Sequence, residues 1–172
     1  MPLVIDSTPG AATANSYISL ADANTYHTTV LDPVVWDDAD NDTRGRALIS
    51  ATRKLDAYLS WIGYPWSYTQ KLGWPRYAAL TRTGSVYAVD VVPEEVKHAT
   101  AEFARRLIAS GGGAAGTGSE TLKSLKAGPI DLVFRDEVPA TAAIPADVVQ
   151  MVAHLTRSVA GSNASSVPIV RV

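Results

Sequence analysis

Apolar residues recur at steps of three and four along much of the chain, which is the spacing of one face of an α-helix. The clearest stripe follows the polar cluster at 40–43, a typical helix start, and consists of Leu48, Ala51, Leu55, Tyr58, Leu59 and Ile62. We predict a helix from this cluster to about residue 61. Gly63 and Pro65 then end it, because both residues disfavour helical continuation.

Capping signals and shorter stripes predict three further helices. Ser19 with Asp22 resembles a capping box, and the helix that follows is predicted over 20–31, where an Asp-Pro pair stops it. Pro93 begins a third helix, with acidic residues in its first turn and a stripe of Val96, Ala99, Phe103 and Leu107. A final short helix is predicted over about 145–155, with inward-facing Val148, Met151, Val152 and Leu155.

The C-terminal third has a different pattern. Residues 110–119 (SGGGAAGTGS) have the composition of a flexible linker. Two segments that alternate in polarity flank Gly128-Pro129 and predict a small β-hairpin over about 121–135. We therefore predict a mainly α fold, a bundle of about four helices with this hairpin, in one domain over 1–155. A flexible tail over 156–172 follows.

Composition narrows the class of protein. A chain of 172 residues that is 47% hydrophobic can bury one core, and no window is apolar for long enough to span a membrane, so we expect a soluble, unexported protein without membrane contact. Its formal charge of -2 argues against a broad cationic surface, and at most weak, salt-sensitive DNA binding is expected. The absence of cysteine excludes disulfides and thiolate metal sites.

No arrangement of residues predicts catalysis. His27, His98 and His154 fall on different predicted helices, at separations that match no zinc-ligand spacing. The acidic run at 37–42 lacks the central Gly and the terminal Glu of a calcium loop, and the Gly-rich run at 111–118 lacks the Gly-Lys-Ser/Thr of a phosphate loop. We therefore expect a protein that is not an enzyme and has no metal or cofactor.

An aromatic loop at 58–77 (YLSWIGYPWSYTQKLGWPRY) holds three of the four Trp and four of the seven Tyr. Either its rings pack back on the helices, or they form a stacking platform for single-stranded DNA with cations between them. The first interpretation is favoured because Gly and Pro between the rings suit a tightly folded loop and the chain is acidic. Both interpretations, the packed loop and the stacking platform, involve the same residues: Trp61, Trp66, Tyr68, Trp74, Arg76 and Tyr77.

Four segments taken together carry a resemblance to a known family: NSYISLAD at 15–22, LISATRKLD at 48–56, QKLGWPR at 70–76 and VPEEVK at 92–97. Over roughly 15–155 the chain resembles the head-tail adaptor (head-completion or connector) proteins of tailed bacteriophages. Relatives of this kind are often labelled DnaT-like single-stranded-DNA-binding proteins. The long Gly linker and the Ser-rich tail depart from the family's pattern.

This resemblance implies a structural protein made in the bacterial cytoplasm and placed at the head-tail junction of the virion. It implies a ring of twelve copies that binds the portal protein and the next tail component, a stopper or tail terminator, while genomic double-stranded DNA passes without specific binding. A β-prone end to the tail would add a strand to a neighbour: Val167, Pro168, Ile169, Val170, Arg171 and Val172. The alternative is a single-stranded-DNA-binding replication accessory protein, which would use the aromatic loop.

Overall fold

Five α-helices form the framework of this protein in a computed structural model that describes residues 3–111, 125–127, 130–132 and 144–157. The predicted mainly helical fold is confirmed. In chain order the helices are α1 (Leu20–His27), α2 (Val34–Asp37), α3 (Asn41–Tyr58), α4 (Glu94–Ala109) and α5 (Ala146–Val152), and a 3-10 turn (Ala153–Leu155) follows α5. No helix within the described ranges is long and apolar enough to cross a membrane.

The core lies where α3 packs along α4 and α5 packs against α4. Leu48, Ala51 and Leu55 of α3 are fully buried. The facing stripes of α4, of α5 and of the 3-10 turn are also buried, and they consist of Val96, Ala99, Phe103, Leu107, Val148, Val152 and Leu155. Burying one large aliphatic or aromatic side chain stabilises a fold by about 1.5–3 kcal/mol, so these stripes hold the bundle together.

Local hydrogen bonds determine where α1 begins and ends. The Asp22 N–H donates to the Ser19 hydroxyl (3.1 Å), which itself donates to the Asp22 carboxylate (2.7 Å). The helix ends at His27, before the predicted end at 31, because the Thr28 and Thr29 hydroxyls donate to carbonyls of its last turn. Helix α2 was not predicted, and its Trp36 is buried.

Helix α3 begins at the predicted polar cluster and ends slightly earlier than predicted. The Thr43 N–H donates to the Asp40 carboxylate at 2.6 Å, which caps the first turn. At the other end Leu59 is extended, with φ −104° and ψ 132°, and Trp61 forms an antiparallel bridge with Thr156. The segment at 59–61 therefore pairs with the residues after α5 and leaves the helix.

Two short antiparallel strand pairs complete the described structure. The first, β1 (Tyr64–Pro65) with β2 (Arg76–Tyr77), lies inside the aromatic loop and was not predicted. The second, β3 (Leu125–Ala127) with β4 (Ile130–Leu132), confirms the predicted hairpin, with Leu125 opposite Leu132. Most of the predicted linker at 110–119 and the tail from 158 lie outside the described residues.

Candidate functional site

The aromatic loop separates its rings into a buried set and an exposed set. Trp61 and Trp74, here called the inner rings, are only 7% and 1% exposed. The outer rings are each at least 37% exposed, and they are Tyr64, Trp66, Tyr68 and Tyr77. Rings of both sets lie within one stretch of sequence, yet one set is buried and the other is exposed to solvent.

Strand geometry explains this separation. Tyr64 lies directly opposite Tyr77 in the β1–β2 pair, and the Trp66 N–H donates to the Pro75 carbonyl (3.1 Å) one step further along. Opposed residues, and residues two apart on one strand, project from the same face of a strand pair. Tyr64, Trp66 and Tyr77 thus share the outer face, while Trp74 and Arg76 share the inner one.

The carboxylate of Asp56 on α3 holds the inner ring of Trp61 and the backbone next to Trp74. The Tyr17 hydroxyl, the Trp61 indole N–H (2.8 Å) and the Gly73 N–H (3.0 Å) all donate to it. Burial raises the pKa of Tyr17 well above its ordinary value, and the negative charge of Asp56 raises it further. The inner rings also pack edge to face, with centroids 5.8 Å apart. This set attaches the loop to the bundle.

Arg76 also acts within the loop. Its guanidinium donates to three backbone carbonyls, those of Ile62 (2.6 Å), Gly63 (2.8 Å) and Gly73 (2.9 Å). A guanidinium has five N–H donors in a fixed plane, so three such bonds also fix its orientation. Arg76 therefore closes the loop around the β1–β2 pair and is directed away from the outer face.

The outer rings surround a groove of about 740 Å³, which is lined by Tyr64, Pro65, Trp66, Ser67, Tyr68, Gln70, Leu72 and Tyr77. The side-chain amide among these lining residues, that of Gln70, is hydrogen-bonded within the loop. Gln70 Oε1 accepts from the Ser67 N–H (2.9 Å), and Gln70 Nε2 donates to the carbonyls of Leu72 (2.8 Å) and Pro75 (3.2 Å). The groove is consequently lined mainly by aromatic side chains, and its amide is engaged in hydrogen bonds to the loop backbone.

The N-terminal segment supports Trp66 from one side. Gly10 has φ +72°, and a Cβ placed there would lie 2.5 Å from Trp66 Cζ3. Asp6 holds this segment in shape, because its carboxylate accepts from the Thr13 hydroxyl (2.7 Å) and the Thr8 N–H (3.0 Å). These hydrogen bonds lower the pKa of Asp6. The ring of Trp66 therefore packs closely against the Gly10 backbone.

Positive charge near the groove is sparse. Lys71 follows the groove residue Gln70 and is exposed, and within the described part of the chain it forms no ion pair. Arg82, a cation of the same loop region, donates to the Met151 carbonyl of α5 at 3.0 Å. In the described residues, no group of three or more His, Cys, Asp or Glu side chains is placed to hold a metal ion.

The structure thus brings together three of the six predicted loop residues, Trp66, Tyr68 and Tyr77, at one groove. Trp61, Trp74 and Arg76 lie on the inner side, and residues 167–172 lie outside the described part of the chain. Tyr64 and Gly10 were not among the predicted site residues. Period-two alternation along YPW and WPRY could have identified Tyr64, whereas no local signal marks the contact between Gly10 and Trp66.

The whole chain, residues 1–172, matches the family described as "Putative DnaT-like ssDNA binding protein". No curated protein and no solved structure matches it. The interpretation as a phage head-tail adaptor, with its ring and its portal and tail partners, is wrong, because the match is to this other family and nothing found indicates an adaptor.

The physical reason for the error lies in three of the four segments that carried the resemblance. The segment at 15–22 contains the cap of α1, the segment at 48–56 contains the buried stripe of α3, and the segment at 92–97 begins α4. A helical core needs such caps and stripes whatever the protein does, so they do not indicate partners. By the match over its full length, the chain belongs to the family of DnaT-like ssDNA-binding proteins.

Proposed function

We propose that this protein binds single-stranded DNA in the groove, with unpaired bases stacking on Tyr64, Trp66, Tyr68 and Tyr77. The observation that supports the proposal most directly is the placement of four exposed rings around one groove. Base–aromatic stacking contributes about 1–3 kcal/mol per base in single-strand binding proteins. The family to which the chain belongs is also described by this activity.

Exposed aromatic rings in a cluster favour a binding role over a packing role. A fold gains free energy by burying large rings, as it does here for Trp36, Trp61 and Trp74. Exposed apolar patches on folded proteins are characteristic of interaction sites. Two of the outer rings, Tyr64 and Tyr77, belong to the hydrogen-bonded β1–β2 pair, and the Trp66 backbone continues it, so the backbone that carries these three loses little conformational entropy when a ligand binds.

Stacking, not charge, supplies most of the affinity in this proposal. Lys71 is the exposed cation next to the groove residues, and the chain has a formal net charge of -2. For single strands, log K falls with log salt by about 0.7 for each phosphate neutralised, so one or two contacts give a shallow salt dependence. Duplex DNA binds more weakly because its bases are already stacked on each other.

A fluorescence anisotropy titration with a labelled oligo(dT) of about 12 nucleotides tests the proposal. Loss of one stacking ring in Trp66→Ala or Tyr68→Ala should weaken binding by about 5- to 150-fold, as removal of 1–3 kcal/mol predicts. The matched control is Tyr58→Ala, which removes an exposed Tyr that does not line the groove. Its affinity should equal that of the wild type.

Two results would contradict this function. One is the absence of oligo(dT) binding by the folded wild-type protein even at low salt. The other is an equal loss of affinity in Tyr58→Ala and Tyr68→Ala, which would show that binding does not depend on the groove.

A Lys71→Ala variant should keep most of the affinity for oligo(dT). The slope of log K against log salt concentration should become shallower by about 0.7, the value for one phosphate contact on a single strand.

A further inference from the structure

The groove contains few polar groups that are free to recognise a particular base. Both ends of the Gln70 amide are bonded within the loop, to the Ser67 N–H and to the Leu72 and Pro75 carbonyls. The Ser67 hydroxyl lies 3.0 Å from the Thr69 hydroxyl and accepts from the Thr69 N–H. Distinguishing one base from another by its edge requires donors and acceptors that these side chains have already committed.

The remaining side-chain polar groups of the groove are the hydroxyls of Tyr64, Tyr68 and Tyr77 and the indole N–H of Trp66, a donor that any base acceptor or phosphate oxygen can meet. Each hydroxyl can donate or accept and can rotate to suit its partner. Such a group accepts a phosphate, a sugar or a base with little preference. What the groove mainly offers is therefore its aromatic rings, and every base has a face that can stack on them.

The same reasoning applies to the distinction between ribose and deoxyribose. A protein distinguishes RNA from DNA at a given site through a group placed at the 2′-hydroxyl, either as a hydrogen-bond partner or as a steric block. Apart from Gln70, whose amide is already hydrogen-bonded within the loop, no described residue with a side-chain carboxylate or amide lines the groove. Tyr68, at its rim, is fully exposed, so the groove is open there to a bulkier sugar.

We infer that the groove binds single strands irrespective of base and of sugar, so that this protein is also a single-stranded RNA-binding protein. The inference rests on the proposed function and extends its ligand class. Stacking uses the faces of the bases, which oligo(dU) and oligo(rU) share, and the additional 2′-hydroxyl of the RNA meets solvent or a tyrosine hydroxyl.

The sharpest test compares oligo(dU) with oligo(rU) of equal length, because these strands differ only at the 2′ position. Dissociation constants measured by anisotropy on the full chain should agree within about threefold, as should those of oligo(dT) and oligo(dC). A specific hydrogen-bonded contact to a base changes affinity by about 5- to 150-fold, so a difference beyond about threefold in either comparison would overturn the inference.

A groove variant shows whether both ligands use one site. Trp66→Ala should weaken oligo(dU) and oligo(rU) by the same factor, and loss of DNA affinity alone would overturn the inference by placing RNA elsewhere. Binding of oligo(dU) without oligo(rU) would overturn the inference and leave the proposed function intact. Binding of neither strand by folded protein would overturn both.

Discussion

At the residue scale, the direction in which a side chain of the aromatic loop projects, more than its chemical type, determines whether it is buried or lines the groove. Arg76 and Tyr77 are neighbours in sequence, yet Arg76 bonds to the carbonyls inside the loop and Tyr77 lines the groove. Trp66 and Trp74 differ in the same way, since one is 37% exposed and the other 1%. Alternation along β2 accounts for the opposite directions of Arg76 and Tyr77.

The first prediction concerns Gly10. In Gly10→Ala the new methyl group would meet the Trp66 ring, so the ring should shift and affinity for oligo(dT) should fall by about tenfold. Iodide quenching reports the shift independently of DNA, because Trp66 is exposed while Trp36, Trp61 and Trp74 are buried. Tryptophan quenching by iodide should therefore change in the variant even without ligand.

Gly84→Ala is the matched control for Gly10→Ala. Gly84 also has a positive φ, +86°, but a Cβ there would meet nothing within 4 Å. Both substitutions carry the same backbone penalty, about 1–2 kcal/mol for a left-handed residue, and only the first disturbs Trp66. Equal effects of the two variants on quenching and affinity would show that strain, not the Trp66 contact, is responsible.

At the element scale, local signals were sufficient for the long helices and insufficient for the short elements. The Ser19 and Asp40 caps and the Leu48 stripe are encoded within a few residues, so the sequence predicted the start of α1 and most of α3 and α4. Helix α2 and the β1–β2 pair have four and two residues per element, too few to be stable alone. They form because distant residues hold them.

The candidate site illustrates the same limit. Residue type was enough to select Trp66, Tyr68 and Tyr77 from the sequence, together with the inner Trp61, Trp74 and Arg76. Separating the two groups requires the register of β1 with β2, which depends on contacts from Asp56 on α3 and from Arg76 to the backbone. Those contacts are 17 and 14 residues apart in sequence, beyond the range of local patterns.

The second prediction separates the two faces of the loop by mutation. Trp74→Ala should lower the free energy of unfolding by about 3–5 kcal/mol, the range for truncating a buried large aromatic side chain. Tyr77→Ala, on the outer face, should change stability by less than about 1 kcal/mol and reduce affinity for oligo(dT). Urea denaturation and anisotropy on both variants provide the check, and a Trp74→Ala protein of wild-type stability would contradict it.

The third prediction tests the Asp56 carboxylate as the anchor of the loop. Asp56→Asn replaces an acceptor with a donor where the Tyr17 hydroxyl, the Trp61 indole and the Gly73 N–H all donate. At least one donor is then left unpaired, and stability should fall by about 1–3 kcal/mol. Asp42→Asn, at an exposed pair on the same helix, should have an effect below about 1 kcal/mol in urea denaturation. Equal losses would argue against the anchor.

At the scale of the whole molecule, α1, α2 and α4 meet around a buried histidine. The His27 ring is 1% exposed and packs against Trp36 with centroids 4.2 Å apart. Its Nε2 lies 3.2 Å from the Ala101 carbonyl of α4, whereas Nδ1 has no hydrogen-bond partner among the described residues. Nε2 therefore carries the proton of a neutral ring, and burial lowers the pKa of His27 below its ordinary 6.5.

The last prediction follows from the sign of this shift. Below pH 6.5 the unfolded chain takes up a proton at His27 while the folded chain does not, so stability falls as the pH decreases toward the lower folded pKa. His154, whose pKa is lowered by burial and by the charge of Arg82, contributes in the same direction. The thermal midpoint should therefore be lower at about pH 5 than at about pH 7.5.

Two variants determine whether His27 is responsible for this decrease. His27→Gln removes the titrating group, so the difference in midpoint between the two pH values should shrink even if the protein is less stable at both. His98→Gln removes a histidine whose side chain is 42% exposed and should preserve the wild-type difference. Carboxylates, with ordinary pKa values near 4, titrate mostly below this window. An undiminished difference in His27→Gln would show that the buried ring is not what couples the stability of the bundle to pH.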